Sequence, residues 1–449
     1  MNDDTVPGPD PAVWHAPQIA APHFAGVQTS QSSTDPGLAT HLFEFAAAIA
    51  YLSVLAVPLL LLVTGRHVGM LLWAVCLFFF LLGLHPFVLY PLSLCAIRAK
   101  RSGAQPVQSA AASENTYAIC VCAYNEETVI QSKAENLLAL RRAMPNLEVL
   151  IYVDAATDRT AELLTPYADS FRVVVGSERL GKTFGMNLLV SSTAASIVIF
   201  SDANVILDPA TLPNLERYFS DPDVGCVCGH LKYTNPDASA TAESGSLYWR
   251  LDEWIKRLET RTGSAMGADG SLFAIRRQLH VDPPPYLIDD MFVSLQILCA
   301  QYRVIQASDV CAYEKSAVGG GEEFKRKVRI SCQAFNVHRV LHPALRRLGL
   351  LNRYKYYSHK FLRWLSIFHF VAAWEFLVIG LFMEEHAHAA LAMLIGPLTA
   401  ICLGRWSTLR PFPQLWQILL ALCATGIGVI NSVRGKTFRT WTPAGSIRN

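Results

Sequence analysis

The chain has 449 residues, 52% of them hydrophobic and only 16% charged, with a formal net charge of +2 at pH 7. That length is too great for one small domain and suits two or three structural units, and the balance leans toward a membrane protein with a soluble part. So small a net charge names no partner, and no nucleic-acid partner is expected.

Residues 1–40 are rich in Pro, Ala, Ser and Thr without apolar periodicity, and they read as a disordered tail with no secretory signal. Phe45–Val63 and Met70–Cys95 are apolar runs, each long enough to span a hydrocarbon core. With only "TGRHVG" between them they predict a transmembrane hairpin over 41–97, kinked or ended by His85, Pro86 and Pro91. A basic, then small and polar, linker follows over 98–114. From Thr116 to about Ser316 the texture is that of an α/β domain, placed at 115–320, with a mostly parallel sheet. Its expected strands are "YAICVCAY", "LEVLIYVD", "FRVVVGS", "SIVIFSD", "VGCVCGHLKY" and "YRVIQASDVCAY". "EETVIQSKAENLLALRRA" and "DRTAELLTPYA" carry helical spacing. Residues 321–363 interleave many Lys and Arg with Phe, Tyr, Leu and His, as in helices lying on an anionic membrane surface. Further spans are expected within 361–432, at Phe361–Phe382, Ala389–Leu403 and Leu415–Ile430. The last two are short enough for one to be re-entrant or strongly tilted. A basic tail, 433–449, closes the chain.

Basic residues flank the α/β domain on both sides, at Arg98–Arg101 and in the 321–363 belt. The positive-inside rule therefore puts that domain in the cytoplasm of a multi-pass inner-membrane protein. An odd number of spans would put the basic tail outside, which conflicts with the same rule. The eleven cysteines form no CxxC pair, and most sit in apolar runs, which argues for a reducing compartment. "CVCGH" (Cys226, Cys228, His230) reads as alternating small apolar residues of a strand rather than a metal cluster.

In open α/β sheets, ligands bind beyond the carboxyl ends of the strands. Three expected strands end there in polar clusters: Tyr124, Asn125, Glu126 and Glu127; Asp154 and Asp158; Asp202 and Asn204. For Asp158, beside Thr157, a helix cap is the first reading. Asp202 and Asn204 stand at i, i+2, a spacing that puts both on one side of an extended chain, where they could share a ligand. Three clusters at successive strand ends point to one crevice.

The order of motifs resembles the family 2 glycosyltransferases of GT-A fold, and especially the membrane-embedded synthases of cellulose, hyaluronan and poly-N-acetylglucosamine. The matching segments are "AYNEE" (Ala123–Glu127), "VDAATDRT" (Val153–Thr160), "RLGKTFGMN" (Arg179–Asn187), "SDAN" at the D-x-D position, "GADGSLFAIRR" (Gly267–Arg277) and "IDDMFVS" (Ile288–Ser294). They span about residues 116–335. The resemblance implies a Rossmann-like GT-A nucleotide-sugar domain between N-terminal and C-terminal transmembrane helices.

It further implies a site. Tyr124, Glu126, Asp154 and Lys182 would hold the base and ribose, and an Asp accepting from a base N–H suits uracil. Asp202 would bind Mg²⁺ or Mn²⁺ and clamp the diphosphate, with Asn204, in place of the second Asp, as a neutral ligand. Asp290 would be the catalytic base, its pKa raised by Asp289, which could also cap the helix. "RKVRI" (Arg326–Ile330) stands where processive members have Q-x-x-R-W. Arg326 and Arg329 would bind diphosphate, while Ile330 cannot offer an acceptor sugar the stacking face of Trp. "YYSHKFLRWL" (Tyr356–Leu365) resembles the interfacial helix entering the next span.

The implied activity is inverting transfer from a UDP-sugar, of glucose or N-acetylglucosamine type, to a saccharide or lipid-linked acceptor among membrane lipids. Two alternatives stand beside processive synthesis: addition of one sugar to a lipid, and a nucleotide-binding transporter or scaffold without transfer.

Overall fold

The structure is a computed structural model and describes residues 14–15, 68–98, 115–234, 240–315, 320–406 and 411–441. The expected first span, Phe45–Val63, most of the N-terminal tail and most of the linker lie outside the described residues.

Among the described residues nine strands form one mixed sheet: β1 (Trp14–His15), β2 (Tyr117–Ala123), β3 (Glu148–Val153), β4 (Arg172–Val175), β5 (Ile197–Asp202), β6 (Ile206–Leu207), β7 (Val224–Tyr233), β8 (Leu272–Arg276) and β9 (Arg303–Glu314). Their order across the sheet is β1-β4-β3-β2-β5-β8-β7-β9-β6. From β1 to β5 the pairs are parallel, and β8 runs antiparallel to both β5 and β7. The six expected strands are all present. The run "SLFAIRR" is the exception: read as part of a glycine loop, it supplies β8, whose five residues are too few to show a period. Central strands buried on both faces need apolar side chains at every position. In β2, alternate residues divide between two cores: Ile119 and Val121 face one, Cys120 and Cys122 the other. Cys226 and Cys228 of β7 pack into the second of these cores, and His230 Nδ1 lies 2.5 Å from Glu253 Oε1.

The helices that bear on the site are α1 (Val68–Leu84), α2 (Tyr90–Ala96), α3 (Ile130–Ala143), α4 (Thr160–Leu164), α5 (Lys182–Ser191), α6 (Thr211–Phe219), α7 (Ala240–Arg261), α8 (Asp289–Cys299) and α9 (Gly320–Leu345). α10 (Leu350–Tyr356), α11 (Leu362–Met383), α12 (Ala387–Trp406) and α13 (Phe412–Val433) follow. π-helical turns at His85–Leu89 and Tyr357–Phe361 join α1 to α2 and α10 to α11. Pro86, which has no N–H to give the preceding turn, sits in the first of them. The two turns face each other, with His85 Nε2 3.0 Å from Ser358 Oγ. Three helices among the described residues are long and apolar enough to cross a membrane: Gly69–Ala96, Leu350–Met383 and Phe412–Val433. α9 packs closely along α13. A Cβ on Gly428 would lie 2.6 Å from Ser331 Cβ and 2.7 Å from the Val328 carbonyl oxygen, so only glycine permits the crossing.

A buried polar network ties these helices to the α/β domain. Tyr90 donates to Glu259 Oε1 (2.6 Å), His359 bridges Glu259 (2.8 Å) and Asp252 (3.0 Å), and Lys256 joins Asp252 (3.4 Å) to Asp269. Arg363 also reaches Asp252. α7, which carries Asp252, Lys256 and Glu259, has no counterpart among the expected elements.

Ala155, two residues beyond the end of β3, has φ of 50°, in the left-handed region that glycine enters freely and alanine does not. Its place corresponds to the Gly of the D-G-S-T-D pattern. Ala155→Gly should therefore stabilise the protein by about 0.5 to 1 kcal/mol, seen as a higher Tm in detergent.

Candidate functional site

The site is built on what holds the turn after β5. The strand ends at Asp202, and Val205 N–H donates to the Asp202 carbonyl (3.3 Å). Asp202 and Asn204 therefore lie on a turn, not along an extended strand as their spacing predicts. Lys133 fixes this turn from below. It stands on the buried face of α3 with Ile130, Ala134 and Leu137, fully out of solvent. Its ammonium donates to Ser201 Oγ (2.8 Å) and to the Val205 carbonyl (2.6 Å), on either side of the turn. Burial pushes its pKa down to about 7, against the pull of Asp202. Asn136, one turn along α3, accepts from Leu207 N–H and donates to the Leu207 carbonyl, both at 2.9 Å. A lysine within an apolar helical face was the signal for this role, and sequence reasoning passed over it.

Above the turn, Lys182 gathers the acids. It opens α5 and meets Asp202 Oδ1 at 2.7 Å and Asp289 Oδ2 at 3.9 Å. Burial opposes its charge, but Asp202, Asp289 and Asp290 outweigh burial and hold its pKa well above the usual lysine range. Gly270 lets these groups meet: a Cβ there would lie 2.9 Å from Asp290 Oδ2 and 3.1 Å from Lys182 Nζ. Asp290 is pushed up to about 7, first by burial and then by the neighbouring Asp289 charge, with Lys182 opposing. The expected shift is thus present, with burial ahead of the acidic neighbour as its cause. The N-cap of α8 is Ile288, with no side-chain cap, so the capping role suggested for Asp289 is not taken up: Asp289 faces Lys182, and Asp290 Oδ1 accepts from the adjacent Met291 N–H.

Arg326 and Arg329 reach the same place from α9. Burial and Arg326 lower the Arg329 guanidinium to about 10, partly offset by Asp202 and Asp290. Arg326 is held above the usual range by Glu323, Glu314, Tyr233 and Asp202, against its burial. Arg326 pairs with Glu323 (3.5 Å) and Arg329 donates to Gln333 Oε1 (3.0 Å), and both feel the charge of Asp202.

Beyond the next strand ends, the loops are laced together. Thr157 N–H donates to Asn125 Oδ1 (2.9 Å), Glu127 N–H to Asp158 Oδ2 (3.1 Å) and Glu126 N–H to Thr160 Oγ1 (2.8 Å). Asp158 also accepts from Thr160 N–H (3.0 Å), the local cap read from the sequence. Glu126 is buried. Asp154 is fully buried and accepts from Leu180 N–H (2.8 Å) and Gly181 N–H (3.1 Å), with Arg179 Nε at 3.7 Å. It thereby holds the 179–182 loop in place. Arg179 lies flat over the Tyr124 ring, 3.3 Å from its centroid, and donates to the Trp441 carbonyl (2.6 Å).

That last contact was not anticipated. Read as a basic tail, the segment after α13 turns back onto the crevice. Gln333 and Asn336 of α9 donate to the carbonyls of Phe438 and Lys436 (3.0 and 3.1 Å). The Arg439 carbonyl oxygen lies only 2.1 Å from where a Cβ on Gly181 would be, and Gly181 has φ of 94°, so glycine is required there on both counts. Trp441 meets Tyr124 edge-on at 6.0 Å. A lone tryptophan in a polar tail was the available signal.

A divalent cation fits this site only together with a ligand. Among the described residues, no group of three His, Cys, Asp or Glu could hold one unaided. Asp202 offers carboxylate oxygen. Asn204 Nδ2 is committed to Glu314 Oε1 (2.7 Å), so its amide oxygen is the atom left for a cation. These are hard oxygen donors suited to Mg²⁺ or Mn²⁺, and diphosphate oxygens would complete the shell.

The family model described as Glycosyl transferase family 2 matches residues 118–282. Poly-beta-1,6-N-acetyl-D-glucosamine synthase of Staphylococcus aureus is 27% identical over 188 residues, 40% of this chain and 45% of that protein. Beta-monoglucosyldiacylglycerol synthase of Nostoc sp. is 28% identical over 165 residues, 36% of this chain and 35% of that protein. The matched region therefore spans less than half the length of either curated relative. A mannosyltransferase from Pyrobaculum calidifontis, solved with GDP-Man and Mn²⁺, superposes with a TM-score of 0.62 at 19% identity, covering 80% of this chain and 99% of that one. That likeness shows the fold, an α/β GT-A domain, here flanked by apolar helices. The family match over residues 118–282 covers the stretch in which the motifs stand in order along the strand ends.

Proposed function

We propose that the protein is an inverting transferase that moves a sugar from a UDP-sugar, of glucose or N-acetylglucosamine type, to a saccharide or lipid-linked acceptor at the membrane. The observation that carries this reading is the meeting of Asp290, Lys182 and Asp202 around Gly270. A base poised near neutral pH stands beside a cation and a carboxylate fit to hold a diphosphate. The two curated relatives are named for β-linked products, one a polymer and the other a glycolipid, which supports a β-link and leaves both acceptor classes in play. Tyr124, Glu126 and Asp154 would line the base and ribose end.

In the proposed reaction, Asp290 takes the proton of the acceptor hydroxyl as that oxygen bonds to the anomeric carbon from the face opposite the leaving group. The bond from that carbon to the diphosphate oxygen breaks, and UDP departs with the electron pair. Lys182, Arg326 and Arg329 offset the charge that develops on the diphosphate. Bound Mg²⁺ or Mn²⁺ would add Lewis-acid stabilisation of the same charge through Asp202 and Asn204. Ile330, on α9 in place of a tryptophan, favours addition of a single sugar over processive extrusion. The basic residues around the domain favour a cytoplasmic face of the inner membrane.

The direct test is UDP release by purified protein in nanodiscs from a panel of UDP- and GDP-sugars with Mn²⁺ or Mg²⁺, with sizing of the labelled product. Metal-dependent turnover with a UDP-sugar is expected, falling at least about 10³-fold in Asp290→Asn. Turnover with GDP-sugars alone would overturn the donor reading. The base must be ionised, so kcat/KM should fall about tenfold per unit as pH drops below about 7. In Asp289→Asn the removal of a neighbouring charge should move that limb to lower pH. Trp441→Ala, which removes an aromatic wall of the crevice, should weaken UDP binding about tenfold by calorimetry. Tighter binding would mean instead that the tail obstructs the crevice.

A further inference from the structure

Glu314 closes β9, and its place relative to the Asp202–Val205 turn is set by strand pairing. β6 follows the turn directly and runs antiparallel to β9, with Ile206 opposite Tyr313 and Leu207 opposite Ala312. That register brings residues 204 and 205 alongside 314 and 315. Glu314 is itself largely buried, and its Oε1 accepts from Asn204 Nδ2 at 2.7 Å. A carboxylate only accepts hydrogen bonds, so it selects the nitrogen of the amide and turns the oxygen away from itself. A carboxylate at position 204 would have no proton to give Glu314 and would meet it as a like charge.

We propose that Glu314 is a positioning residue for the metal–diphosphate turn: it orients the Asn204 amide so that oxygen, not nitrogen, is presented to the cation. The turn thus keeps two oxygen donors with one negative charge, while the second carboxylate stands behind the amide rather than on the cation. Asn204 and Glu314 form an interdependent pair, and restoring an acid at 204 alone is not a gain. This inference rests on the reading of Asp202 as the diphosphate–metal anchor.

The test is a double-mutant cycle read by Mn²⁺ binding in the presence of UDP, followed by electron paramagnetic resonance, and by Tm without metal. Glu314→Gln lets the amide at 314 pair with either end of Asn204, and Mn²⁺ affinity should fall about tenfold. Asn204→Asp alone should lower Tm without tightening Mn²⁺, because two carboxylates then share one contact. In the double variant Asn204→Asp/Glu314→Gln, the new amide at 314 donates to the new carboxylate at 204. That variant should recover Tm and bind Mn²⁺ at least as tightly as the unaltered protein. The signature is the change of sign: Glu314→Gln harms beside the native Asn204 and helps beside a carboxylate at that position. Additive effects, or Asn204→Asp alone tightening Mn²⁺ with Tm unchanged, would overturn the positioning role and leave the anchor reading standing. Failure of the unaltered protein to bind Mn²⁺ with UDP would overturn both.

Discussion

The site depends on one half-buried cation. Asp202, Asp289 and Asp290 come from two elements far apart in the chain, and three acids brought that close would repel one another or take up protons. Lys182 makes their assembly possible, and Gly270 leaves the room in which it happens. The compensation is uneven. Asp202 has the ammonium at 2.7 Å, while Asp290, deeper and beside Asp289, is left with its proton affinity raised. In the proposed reaction one lysine thus separates the carboxylate assigned to binding from the one assigned to proton transfer.

How much of this was legible in the sequence follows from where the information lies. Continuous apolar runs ending in polar clusters are local, so the strands of the α/β domain and their polar ends could be read directly. The motif order then pointed to Lys182, Asp202, Asp290, Arg326 and Arg329 as one site; Lys182, Asp202 and Asp290 meet beside Gly270, while Arg326 and Arg329 stand on α9. What could not be read was set by long-range contact. β8 is too short to show a period, and α7 carries buried charges that look like a solvated face until Lys256 meets Asp269 and His359 meets Glu259. The turn at Asp202–Asn204 defeated a rule about extended chains because the strand stops too soon, at Asp202 itself. Lys133 looked like any helix lysine, although its neighbours at 130, 134 and 137 all point inward.

The polar network between α2, α7 and α11 places the loop at Asp269 and Gly270 under the influence of the apolar helices. Asp269, directly before Gly270, is bound to Lys256, and Lys256 joins Asp252, where His359 and Arg363 also converge. A buried pairing of this kind contributes little net stability, but breaking one partner strands the others in a poorly solvated place. The loop that borders Asp290 and the helices expected to lie in lipid are thus set in register by the same few side chains.

The strand of chain that follows α13 has a consequence for how such a protein is assembled from parts. Its carbonyls at Lys436 and Phe438 are held by α9, its Arg439 carbonyl oxygen rests on Gly181, and Trp441 supports Arg179 over Tyr124. One wall of the crevice, at Trp441, is therefore encoded 262 residues downstream of the Arg179 it holds, beyond α13. The α/β domain is not a cassette that can be excised, or transplanted onto another set of helices, with its crevice intact. Its boundaries in sequence and its boundaries as a working unit do not coincide.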